Sequence, residues 1–278
     1  MSAATTRRGQ AGRALLGVYA GLGFVFLLTP IVFIVAFSFN KPKGKFNITW
    51  QEFTLDNWKD PFSDAALTSA LWRSLQIASV STVIATILGS MIAVSLSRYR
   101  FRGSSAFNFM LVLPLTTPEI VLGSSLATLF LGQTLVEFGF ITIVIAHVMF
   151  QMSFVALTVR ARIRGFDWTL EQAAQDLGAT PFMSFRKITL PLILPGILAA
   201  ALLAFALSID DFIITFFNAG STVTFPLQIF GASRVSLPPQ INVLATAILF
   251  VTVTMLGLGT IAGSRRRSKM HTRFDRFK

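Results

Sequence analysis

Three carboxylates stand where carboxylates are costly. Glu119, Asp210 and Asp211 lie in stretches apolar enough to cross a bilayer. A charge at the centre of a spanning helix costs about 2.5–3.5 kcal/mol on insertion scales, so these acids are read as a substrate pathway. Gly123 and Ala127 follow Glu119 at four-residue steps, which puts the acid on a stripe of small residues. Gly196, Ala200, Ala204 and Ser208 repeat every four residues in a later stretch, and Asp211 comes three residues after Ser208. Small stripes let helices approach closely or line a passage. Helical rotation therefore puts Asp211 on the striped side and Asp210 about 100° away, to pair with an arginine or cap an unwound backbone. On continuous helices Glu119 stands roughly 18 Å and Asp211 roughly 29 Å from the inner end of its span, both in the outer half. Two acids spaced along a route suit an elongated cation with several amines. Structural acids, or acids in interfacial water, remain the alternative.

Other residues add little chemistry. His147 and Gln151 form an i, i+4 pair that reads as an interhelical hydrogen-bonding pair ahead of a polar lining. Neither histidine has metal-ligand company, and with no cysteine there is no disulfide, thiolate or Cys zinc site. No nucleophile–base set and no Gly-Lys-Ser/Thr phosphate loop occurs, so no cofactor is expected in this chain.

The segment Arg160–Leu190 is amphipathic. Asp167 or Thr169 is placed to cap a short helix from about Leu170. Leu170, Ala173, Ala174 and Leu177 then share one face, Gly178 stops the helix, and Pro181 opens a second. A short helix with a small-residue face, standing off the membrane, is a docking element.

These pieces need a membrane scaffold. Of 278 residues, 53% are hydrophobic and 13% charged, against about a quarter charged in soluble domains. Six segments reach the roughly 20 apolar residues that span a bilayer. They are Leu15–Phe39, Leu75–Leu96, Phe107–Leu131, Phe138–Val159, Leu192–Phe217 and Ile241–Ala262. The first is too long for a signal-peptide core and is read as a retained helix. With both termini in the cytoplasm, 18 of the 24 Lys and Arg fall on the inner side, as the positive-inside rule requires. The net charge of +12 is thus a topology signal and suits anionic lipid, with no nucleic-acid partner. The long outer segments, 40–70 and 218–240, either cap helices or touch an external partner.

Gln172-Ala173-Ala174, then three residues before Gly178, then nine before Ile188-Thr189-Leu190-Pro191, resemble the EAA loop of ABC-importer permeases. Spacing and identity agree except that Gln172 stands where the family carries Glu, with Glu171 just before it. The blocks Pro118–Gly123, Gly165–Asp167, Asp176–Ala179, Ser208–Asp211 and Pro239–Thr246 are similar to the second permease of spermidine/putrescine importers. The resemblance implies an all-α type-1 permease of six transmembrane helices in a bacterial inner membrane. It divides the chain into 1–71 (inner N-terminus, first helix, external segment), a permease domain over 72–262, and a basic tail over 263–278. It implies ATPase docking by Glu171, Gln172, Ala173, Ala174, Gly178 and Ala179. The implied partners are two ATPase subunits that bind ATP and Mg, a second homologous permease, and an external solute-binding protein. The expected function is passage of a polyamine through a non-enzymatic subunit. The same machine with a metal ion, anion or sugar, or an ATP-independent transporter or channel, stays open.

Overall fold

The computed structural model describes residues 7–99, 101–132 and 136–254. Its described elements are α1 (Arg7–Phe37), α2 (Asp56–Lys59), α3 (Ala65–Arg98), α4 (Ser104–Thr116), α5 (Glu119–Leu131), α6 (Phe140–Ile163) and α7 (Thr169–Asp176). They continue with α8 (Pro181–Ser184), a π-helical turn (Phe185–Thr189), α9 (Leu190–Ile209), α10 (Ile213–Asn218), α11 (Phe225–Ala232) and α12 (Pro239–Thr254). The described chain is helical, and its only β pairings are two isolated bridges.

Two compact units are formed: the described parts of Met1–Ala65 with Ala232–Lys278, and Ala66–Gly231. In the first unit, the chain after α1 folds around buried asparagines. Asn40 Nδ2 donates to Asn47 Oδ1 (2.6 Å) and to the Thr49 carbonyl (2.9 Å), while Asn57 Nδ2 donates to the carbonyls of Ser38 and Asn40. Backbone groups that no regular element could satisfy are thus paired by side chains. Leu237 N–H donates to the Lys45 carbonyl, tying 40–58 to the residues before α12.

The second unit is a helical bundle. Ala93 of α3, Val155, Val159 and Ile163 of α6, and Ile193, Ala200 and Ala204 of α9 form one buried cluster. The expected small stripe on α9 is therefore an interhelical seam. Gly89 marks a close approach of α3 and α6, since a Cβ there would lie 2.8 Å from the Met152 carbonyl oxygen and from Val155 Cβ.

Among the described residues four helices are long and apolar enough to span a membrane: Leu15–Phe37, Ala65–Arg98, Phe140–Ile163 and Pro181–Ile209. A fifth is counted if α4 and α5 are one broken span. The sixth expected segment begins in α12, and its remainder lies outside the described residues, as does the tail 263–278. The six-helix count is thus not reached among the described residues.

Two spans expected to be continuous are interrupted. Phe107–Leu131 breaks into α4 and α5, bent by 108°. Thr117 takes extended backbone, φ −77° and ψ 131°, because the ring of a following proline disfavours the helical region. Leu192–Phe217 ends as α9 at Ile209 and resumes as α10 at Ile213, with no proline or glycine between.

Candidate functional site

The interruption after α9 places the two aspartates in different surroundings. Asp211 stands on the side of Ser208, as the rotation requires, and that side is buried. Its Oδ2 accepts from the Thr215 N–H (2.8 Å) and the Thr215 hydroxyl (2.7 Å). It thereby satisfies an N–H in the first turn of α10 that has no intrahelical partner. His147 of α6 comes to the same oxygen, Nε2 at 3.2 Å. The other ring nitrogen, Nδ1, lies 2.7 Å from Ser208 Oγ.

The chain of polar groups continues. Ser208 Oγ is 3.2 Å from Ser81 Oγ on α3, and Gln151 Nε2 donates to that Ser81 hydroxyl at 3.3 Å. His147 and Gln151 are 3% and 1% exposed. A buried polar group is costly unless paired, so this network joins α3, α6, α9 and α10 at one level of the bundle. His147 and Gln151 are interhelical partners, as their spacing anticipated. Ser81, Ser208 and Thr215 carry no sequence signal of their own. Among the described residues no group of three or more His, Asp or Glu converges as a metal site would require.

Asp210 and Glu119 are exposed. Asp210 closes α9, its N–H donating to the Ala206 carbonyl at 3.4 Å. Glu119 opens α5 just after the 108° bend. A carboxylate there is favoured by the positive end of the helix dipole. Beyond it, α5 packs on α10, with Asn218 Nδ2 donating to the Gly123 carbonyl at 3.2 Å. The broken span and the interrupted span thus meet, and each carries an exposed acid at its break.

The loop between α6 and α9 forms the expected pair of short helices. Asp167 Oδ1 accepts from the Thr169 N–H (3.0 Å) and hydroxyl (2.8 Å) at the start of α7. Those two bonds hold the Asp167 carboxyl below the ordinary carboxylate value. Gly178 takes φ +86°, a conformation that side chains with a Cβ rarely adopt. Thr180 caps α8 by accepting from the Met183 N–H at 3.3 Å.

The outward face of this loop carries several large apolar side chains. Leu177 is 91% exposed and Phe182 72%, and Leu170 and Met183 are exposed as well. Gln172, Ala173 and Gly178 are exposed, and Ala174 and Ala179 half-buried. Glu171 differs from its neighbours. It is 3% exposed, and its carboxylate turns inward to Arg98 of α3, Nη2 to Oε2 at 2.9 Å. Thr189, in the π-helical turn before α9, donates its hydroxyl to the same carboxylate.

Comparison with known proteins agrees with this layout. Residues 85–267 match the family described as "Binding-protein-dependent transport system inner membrane component". The chain is 41% identical to the putrescine transport system permease protein PotI of Escherichia coli (strain K12), over 82% of this chain and 83% of that one. It is 38% identical to the spermidine/putrescine transport system permease protein PotC of the same strain, over 88% and 92%. Among solved structures it resembles a bacterial ABC transporter involved in import of the acidic polysaccharide alginate. That match has a TM-score of 0.65 at 16% identity and covers 93% of this chain and 98% of that one. It also resembles the MetNI methionine ABC transporter, TM-score 0.54 at 20% identity, over 73% and 96%.

Proposed function

Because the chain belongs to the binding-protein-dependent inner-membrane transport family, we infer that it is the permease subunit of an ABC importer for a polyamine. The observation that carries the cargo is the similarity to putrescine and spermidine/putrescine permeases over more than four-fifths of the chain. The permease is a transport subunit, and ATP hydrolysis belongs to a separate ATPase. It is a multi-pass inner-membrane protein, and the clustering of basic residues supports both termini in the cytoplasm. Two ATPase subunits, a second homologous permease and an external solute-binding protein complete the assembly. ATP and Mg act on the ATPase.

In this reading α7, Gly178 and α8 meet the ATPase. Gln172 and Ala173 are exposed with Leu177, so the joint is neutral at the position where relatives of the EAA-loop type carry Glu. Asp210 and Glu119 are the acids free to meet amines. Asp211, bound to His147 and Thr215, contributes by holding the end of α9 in place. An anion carrier would present Arg or Lys at these breaks in place of the acids.

The test is uptake of labelled putrescine by cells with and without this gene. Uptake should fall without it, and spermidine should compete while methionine does not. Equal uptake in both cell lines, or competition by methionine with none by spermidine, would refute the polyamine assignment.

A further inference from the structure

Glu171 is the one buried residue of the docking helix. Gln172 and Ala173 beside it are exposed, whereas its carboxylate reaches back to α3. The contact with Arg98 is bidentate: Nη2 to Oε2 at 2.9 Å and Nη1 to Oε1 at 3.4 Å. Arg98 is the last residue of α3, where a cation also complements the helix dipole. Its guanidinium carbon lies 5.9 Å from the Trp168 ring and 5.7 Å from the Tyr99 ring, within cation–π range. Trp168 stacks edge-on with Phe166, and both pack on the α3–α6–α9 cluster. Thr189 then binds the same carboxylate to the turn that leads into α9.

One carboxylate therefore joins three pieces: the docking helix, the end of α3 and the entry to α9. A buried charge is strongly disfavoured unless paired, so the three cannot separate without leaving an uncompensated ion. The π-helical turn at Phe185–Thr189 is itself a geometry often found at functional sites. We propose that Glu171 is the strut through which movement of α7 is relayed to α3 and α9, and not a contact with the ATPase. It is a positioning residue of the transport cycle. Gln172, exposed one position later, is left to the joint with the ATPase. This deepens the importer reading and rests on it.

The test uses the complete complex in proteoliposomes, with putrescine-loaded binding protein, and follows labelled putrescine uptake together with ATP hydrolysis. In Glu171→Gln the ATPase should copurify as before and still hydrolyse ATP. Uptake per ATP should fall roughly tenfold, within the usual range of couplings between separated sites. Glu171→Asp, which keeps the charge, should recover part of the loss. The chain has no cysteine, so Arg98→Cys with Glu171→Cys offers a second measurement. Uptake per ATP should be low in that variant and rise when a short bis-maleimide joins the two thiols.

A normal uptake-to-hydrolysis ratio in Glu171→Gln would overturn the strut. So would loss of ATPase copurification in that variant, which would put Glu171 at the joint, or no recovery on linking the cysteines. Putrescine uptake by the unmodified complex without ATP hydrolysis would instead overturn the importer reading.

Discussion

His147 and Asp211 meet inside the bundle, Nε2 to Oδ2 at 3.2 Å, though 64 residues separate them in sequence. The contact is shared with Thr215 and extended through Ser208, so the acid nearest the break after α9 is held by side chains of two other helices. Its neighbour Asp210 is exposed. Two adjacent carboxylates thus face different consequences of substitution.

Asp211→Ala should destabilise the purified protein through the buried partners it leaves unpaired, each costing about 1–3 kcal/mol. Asp210→Ala should change stability by no more than about 0.5 kcal/mol, as is usual for exposed positions. Thermal unfolding in detergent reads the difference. In transport assays Asp210→Asn and Glu119→Gln should reduce putrescine uptake while leaving the melting temperature in place. Equal melting of the two alanine variants would contradict the placement of Asp211.

Gly178→Leu should abolish productive coupling while the protein still inserts. Nothing lies within 4 Å of a Cβ at this position, so no clash is expected. The cost is backbone strain at φ +86°, about 1–2 kcal/mol for a residue with a Cβ, and it bends the chain between α7 and α8. Loss of labelled putrescine uptake at normal membrane abundance is the expected result. Unimpaired uptake would remove this turn from the docking role.

Gly89→Val tests the seam between α3 and α6. The added atoms would meet the Met152 carbonyl and Val155 at 2.8 Å, an overpacking that costs about 1–3 kcal/mol. A lowered melting temperature is expected. The double variant Gly89→Val with Val155→Ala should regain part of it, and a melting temperature unaffected by either change would contradict the close approach.

The cap at Asp167 should be sensitive to acid. Its carboxyl is held below the ordinary value by the Thr169 hydroxyl and N–H. The ionised form is therefore favoured in the folded loop. The contribution is fully present above the ordinary carboxylate range and is lost as pH falls through the lowered folded value. Hydrogen exchange at the Thr169 amide should quicken on acidification relative to that trend in Asp167→Ser, which keeps an uncharged cap. Identical pH profiles would show that the carboxylate does not cap the helix.

The class of protein could be read from single residues. Apolar runs of spanning length marked the membrane helices. Gly178, Pro181 and Asp167 fixed the two short helices between α6 and α9 almost to the residue, because capping and helix-stop chemistry act within one or two turns of chain. The kink at Pro118 was also locally encoded, yet hydropathy counts apolar residues and not direction, so α4 and α5 were read as one straight span.

The fate of each carboxylate could not be read in this way. Helical rotation put Asp211 on the Ser208 side, but whether that side opens to a passage or packs on a neighbour depends on α6, which brings His147 to it. Glu171 likewise stood in an amphipathic loop that periodicity marks for a surface, and its carboxylate is buried because Arg98 and Thr189 arrive from distant parts of the chain. Local chemistry sets where helices start, stop and cross a bilayer. The partner of a buried charge is chosen by which helices pack together, and that is a property of the tertiary fold alone.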